Sequence, residues 1–159
     1  MSIVTVDIGD LKVSADADDV IVTYALGSCI AIMVHDPVRV AGGMIHYMLP
    51  LSGTSPEKAR DKPAMFADTG IPELFHAMYG LGCRKSDLVV KVAGGGALYD
   101  DNGVFRIGEK NYAVLRAILK RAGVAISAED VGGARSRTAR LHVATGRCTV
   151  SCKGEEVAL

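Results

Sequence analysis

The chain has no tryptophan, and aromatic residues make up only 5% of it. Its core must therefore be assembled from Val, Ile, Leu, Ala and Met rather than from large rings. It has no excess of either charge, because 18 Lys plus Arg stand against 18 Asp plus Glu. That balance removes the electrostatic footprint of a nucleic-acid binder. It has no long apolar run. The most apolar window, residues 20–34, contains Thr23, Gly27 and Ser28 and then meets His35-Asp36. It falls short of the ~20 apolar residues of a membrane-spanning helix, so no membrane insertion is expected. The first residues, MSIVTVD, lack the basic start and apolar stretch of a signal peptide, which makes the cytoplasm the expected location. The four cysteines (Cys29, Cys83, Cys148 and Cys152) are then expected as reduced thiols, with two disulfides in a secreted protein as the competing reading.

What is present suits a globular protein. Hydrophobic residues are 49% and charged residues 23% of 159 residues, which suggests one domain over residues 1–159. Strands are expected at 3–8, 12–15, 20–25, 29–35, 41–49, 87–93 and 124–127. A terminal hairpin is expected over 138–144 and 147–152, around Thr145-Gly146. Asp36-Pro37-Val38-Arg39 has type I turn chemistry, and Asp101-Asn102-Gly103 is a second turn signal. Two helices are expected. One lies within 63–80, with Leu74, Phe75, Met78 and Tyr79 on one face and Pro72 either starting it or kinking it. The other spans 108–122, with Tyr112, Leu115, Ile118 and Leu119 inward and Gly123 at its end. Residues 52–63 read as an exposed loop. The order predicts an α/β (α+β) sandwich of mixed, largely antiparallel sheets with two main helices.

One pair of residues invites chemistry. If Asp36 and Arg39 flank a two-residue turn, the hairpin register sets Cys29 opposite His46, with facing Cβ atoms ~4.5–5.5 Å apart. A bulge at Gly42-Gly43 would shift that pairing by one. A thiol beside an imidazole is a nucleophile with its base, and a third group usually orients the ring. Thr23, six residues before Cys29, offers a hydroxyl for that purpose. Backbone amides near Gly27, Ser28 and Cys29 offer an oxyanion hole. The plainer reading is that Cys29 is a small buried hydrophobe and His46 a satisfied core residue.

The order of short motifs decides between them. LGSC at 26–29, GGMIHYMLP at 42–50, KVAGGGALY at 91–99 and IGEKNYAVL at 107–115 come first, then DVGG at 130–133 and TGR at 145–147. Together they resemble the CheD family of chemoreceptor glutamine deamidases along nearly the whole chain. The resemblance implies a catalytic triad of Cys29, His46 and Thr23, no metal and no cofactor. It implies a protein substrate, the cytoplasmic helical domain of a chemoreceptor, whose glutamine side chains become glutamate with release of ammonia. It also implies a possible partner, a CheC-type phosphatase of the response regulator, and hence an alternative, non-catalytic role as that partner's stimulator. One departure is visible: where the family often has Gly-Arg after the Gly-Gly pair, this chain has Ala134-Arg135-Ser136-Arg137.

The remaining candidates are weaker. Cys148 and Cys152 on a strand would lie ~13 Å apart, too far to share a metal. Gly94-Gly95-Gly96 lacks the residues of a phosphate loop and points instead to close backbone packing. Arg135, Arg137, Arg140 and Arg147 form a basic cluster that reads either as a solvated hairpin edge or as a contact surface for acidic receptor helices.

Overall fold

Two seven-residue strands at the centre of the chain are buried along their whole length. They are β4 (Ile30–Asp36, IAIMVHD) and β5 (Ala41–Tyr47, AGGMIHY). Strands without a polar face must be covered on both sides. One side, carrying Ile30, Ile32, Val34, Ile45 and Tyr47, packs against helical residues. The other, carrying Ala31, Met33 and Met44, packs against a second sheet through Ile21, Leu26, Ala139 and Leu141. The layers therefore run helices, sheet, sheet. This computed structural model describes residues 1–97 and 106–159; the turn expected at Asp101-Asn102-Gly103 lies outside them.

The inner sheet has the order β2-β5-β4-β6-β7, with β2 at Asp10–Ser14, β6 at Val89–Gly94 and β7 at Ala128–Val131. The outer sheet has the order β1-β3-β8-β9-β10. Its strands are β1 (Ser2–Thr5), β3 (Asp19–Leu26), β8 (Arg137–His142), β9 (Cys148–Cys152) and β10 (Glu155–Ala158). Among the described strands, β1 with β3 and β6 with β7 pair in parallel and the other pairs are antiparallel. The helices are α1 (Pro56–Asp61), α2 (Ala67–Gly80) and α3 (Ile107–Ala122). This is the expected sandwich of largely antiparallel sheets with two main helices.

Helix α2 buries Ala67, Gly70, Ile71, Leu74, Phe75 and Met78, the 3–4 spacing of one helical face. It lies close on β5, because a Cβ at Gly43 would meet Met78 and Leu74 at 2.9 and 3.2 Å. Helix α3 ends at Gly123, whose left-handed φ of 71° lets its amide cap the last carbonyls.

Several expectations need correction. The span 52–63 is not an irregular loop, because α1 occupies half of it, with Pro56 set at the helix start. Pro72 lies inside α2 rather than at its first turn, so of the two readings the longer helix holds, with its start at Ala67. Tyr79 is exposed rather than on the core face. The strand expected at 124–127 begins at Ala128, and β10 follows the expected terminal hairpin.

The β4–β5 register also differs. Ala31, not Cys29, stands opposite His46, and Asp36 pairs with Ala41. The connection holds four residues rather than two. Asp36 Oδ1 accepts from the amides of Val38 and Arg39 at 2.8 and 3.1 Å, and Val40 closes the loop at a φ of 53°. Gly42 and Gly43 stay in regular pairing, without a bulge. A slip of two residues preserves the face, so Cys29 becomes a diagonal neighbour of His46 on the same side of the sheet.

Candidate active site

His46 sits on β5, an interior strand of the inner sheet, paired with Asp10 on one side and Ala31 on the other, and it is fully buried. Its ring faces the outer sheet. There Thr23 of β3, also fully buried, places Oγ1 2.7 Å from His46 Nδ1. The same hydroxyl lies 2.6 Å from the Val6 carbonyl. A carbonyl has no proton to give, so the hydroxyl donates to Val6 and accepts from the ring. Nδ1 therefore carries the proton, and Nε2 presents its lone pair. Nε2 is buried with no protein partner. Immediately past Thr23 the β3–β8 register shifts, and Ala25 adopts a φ of 57°. Bulges of this kind often re-aim side chains beside active sites.

Cys29 is half-buried and packs on the same inter-sheet core as His46's strand neighbours. Its loop is held by its carbonyls. The Gly27 carbonyl accepts from Gly96 N at 2.8 Å and the Cys29 carbonyl from Gly95 N at 2.8 Å. The Ser28 carbonyl accepts from Asn111 Nδ2 at 2.9 Å. The glycines at 94–96 and 108 are a steric requirement of this clamp. A Cβ at Gly94 would strike the Cys29 carbonyl, and one at Gly108 would lie 2.5 Å from the carbonyls of Gly95 and Gly96. The three glycines serve close backbone packing, as their sequence suggested.

Burial sets the protonation states. It pushes the Cys29 thiol up, although the residue's own amide draws it back. It holds His46 down at about 4, against a weak opposing pull from Asp7. At rest the thiol and the imidazole are therefore both neutral. Cys83 and Cys148 are buried and pushed up to about 11, mainly by burial. No cysteine is in a disulfide. Among the described residues no group of three His, Cys, Asp or Glu side chains could hold a metal ion.

The basic cluster divides. Arg137 is buried, donating to the carbonyls of Gly132 and Gly94 at 2.6 and 3.3 Å and pairing with Asp130 at 3.3 Å. It braces the glycine clamp and is no contact surface. Arg135 is exposed and bonds Asp130 at 2.9 Å.

Asn111 was missed in the sequence. It is fully buried, and its Nδ2 also donates to the Met48 carbonyl at 3.0 Å. Tyr47 donates its hydroxyl to the Asn111 carbonyl at 2.7 Å. The available signal was a lone polar residue on the apolar face of α3, in line with Gly108, Leu115 and Leu119.

The site thus offers a thiol on a clamped loop and, on the same face of the sheet, an imidazole held by a hydroxyl. The chain belongs to the CheD family. The family model described as "CheD chemotactic sensory transduction" matches residues 48–152. A protein of Anaeromyxobacter dehalogenans, named probable chemoreceptor glutamine deamidase CheD 2, is 57% identical over 99% of both chains. One of Syntrophus aciditrophicus, named probable chemoreceptor glutamine deamidase CheD 1, is 48% identical over 97% of this chain and 96% of its own. A crystal structure of the hypothetical protein YfiH of Bacillus licheniformis superposes with a TM-score of 0.46 at 16% identity. It covers 76% of this chain, which spans 49% of that one. No helix among the described residues is long and apolar enough to cross a membrane.

Proposed function

We propose that this protein is a chemoreceptor glutamine deamidase with Cys29 as nucleophile, His46 as base and acid, and Thr23 as the group that orients the ring. The observation that carries it is the buried Thr23–His46 contact, which leaves Nε2 free on the face of the sheet that Cys29 shares. The relatives' names supply the substrate class.

His46 Nε2 takes the thiol proton as Cys29 Sγ attacks the carboxamide carbon of the receptor glutamine. The amides of Ser28 and Cys29, on the loop that begins at Gly27, face the oxygen that becomes negative. The imidazolium returns its proton to the departing nitrogen, and ammonia leaves a thioester. A water then gives a proton to Nε2 and attacks the thioester, the sulfur takes the proton back, and glutamate remains. No metal or cofactor takes part, and the substrate segment belongs to the cytoplasmic part of the receptor. A CheC-type phosphatase is the partner the family resemblance implies, and a purely stimulatory role would leave signalling unchanged in a Cys29→Ala strain.

The test is ammonia release, with the glutamine-to-glutamate mass change, from a purified receptor cytoplasmic domain. Wild-type protein should produce both and Cys29→Ala neither. Full activity in Cys29→Ala would overturn the mechanism.

A further inference from the structure

Three consecutive carbonyls of the nucleophile loop each accept a hydrogen bond from outside the loop. Two donors are backbone amides of the glycine clamp, Gly96 for Gly27 and Gly95 for Cys29. The third is a side chain, Asn111 Nδ2 on Ser28. In a trans peptide the carbonyl and the following N–H point in opposite directions. Holding the Ser28 carbonyl toward α3 therefore turns the Cys29 N–H away from α3.

Asn111 is oriented without ambiguity. Its Nδ2 faces two carbonyls, Ser28 at 2.9 Å and Met48 at 3.0 Å, and each accepts one of its two protons. Met48 follows the His46-Tyr47 pair, and the Tyr47 hydroxyl donates to the main-chain carbonyl of Asn111. One buried carboxamide thus ties the segment that carries the thiol to the segment that carries the imidazole.

We propose that Asn111 is a positioning residue for the deamidation: its carboxamide fixes the plane of the Ser28–Cys29 peptide and aims the Cys29 amide at the developing oxyanion. This rests on the thiol mechanism above. Asn111 touches neither the substrate nor the reacting atoms. Its contribution appears where negative charge develops on oxygen, so it acts on turnover rather than on thiol reactivity.

The experiment compares two reactions of the same sulfur. Deamidation passes through an oxyanion; alkylation of Cys29 by iodoacetamide does not. In Asn111→Ala, kcat for receptor deamidation should fall about 100-fold with KM nearly unchanged. The alkylation rate of Cys29, followed by peptide mass, should stay within about threefold of wild type, since no oxyanion forms. Asn111→Gln keeps both N–H donors on a longer arm and should give an intermediate kcat. It also carries the test if the alanine variant does not fold. Wild-type kcat in either folded variant overturns the proposal, and so does alkylation that slows in step with kcat. Cys29→Ala runs beside them. Ammonia release persisting there defeats the thiol mechanism, whereas release lost there and kept in Asn111→Ala defeats the role of Asn111 alone.

Discussion

Thr23 and His46 belong to different sheets, and their 2.7 Å contact determines which ring nitrogen keeps its lone pair. The hydroxyl has one proton, and the Val6 carbonyl takes it. Nδ1 must then donate to Thr23, which leaves Nε2 as acceptor. The outer sheet thus supplies the tautomer, and the inner sheet supplies the imidazole.

Thr23→Val tests this directly. Valine has nearly the shape of threonine but cannot accept from Nδ1 or donate to Val6. The ring loses its fixed tautomer, and kcat should fall about 10- to 100-fold, as when a positioned partner of a catalytic or ligating His is lost. Stability should fall by about 1–3 kcal/mol, the cost of leaving buried polar groups unpaired. Receptor deamidation kinetics and denaturant unfolding read the two effects separately. An unchanged kcat would remove Thr23 from the site.

His46 should also shape stability against pH. Its value is about 4 in the folded protein and 6.5 ordinarily. Between those limits the unfolded chain binds the proton and the folded one does not, so stability rises with pH across the window. The contribution is complete above about pH 6.5 and declines as pH falls toward 4, by about 3 kcal/mol in all. Urea unfolding at pH 7 and pH 4.5 should show the loss in wild type and a smaller one in His46→Gln. The same cause keeps His46 a base well below pH 6, so kcat should not decline on the acid side near 6.5.

The glycine clamp gives a steric prediction. A methyl at residue 108 would lie 2.5 Å from two backbone carbonyls, which cannot move without moving the Gly27–Cys29 loop they help to hold. Gly108→Ala should cost about 1–3 kcal/mol, as overpacking does. It should also lower kcat more than an equally destabilising substitution elsewhere on α3. Matched loss of stability without extra loss of kcat would separate the clamp from catalysis.

Much of this was legible in the residues. The strands β3, β4 and β5, the amphipathic α3 and the hydroxyl of Thr23 as a partner for His46 follow from apolar pattern and motif order. The register did not follow. It depended on a four-residue loop closed by Val40 with a positive φ, a conformation that β-branched side chains rarely adopt. The roles of Asn111 and Arg137 were hidden for a different reason. Each acts through backbone carbonyls brought close only by the tertiary fold, and a carbonyl leaves no mark in a sequence. Arg137 looked like its neighbour Arg135 because the residues alone do not show that Arg137 opens β8, the middle strand of the outer sheet, while Arg135 lies before it.

That difference between the two arginines is itself measurable. Arg135 is exposed, and its pair with Asp130 is held in solvent, so Arg135→Ala should change stability by no more than about 1 kcal/mol. Arg137 is 2% exposed and satisfies the carbonyls of Gly94 and Gly132 as well as Asp130. Its removal takes the donor from the Gly132 carbonyl and one of two donors from the Gly94 carbonyl, which keeps the Gly132 amide, and from Asp130, which keeps Arg135, at a cost of about 1–3 kcal/mol. Gly94 leads directly into the amides that hold Gly27 and Cys29, so the same change should loosen the nucleophile loop. In Arg137→Ala the stability loss should therefore come with a fall in kcat, and in Arg135→Ala with neither. If charge removal at Arg135 instead weakened receptor modification without touching stability, that arginine would belong to the substrate contact. The basic cluster would then split into one brace and one recognition residue.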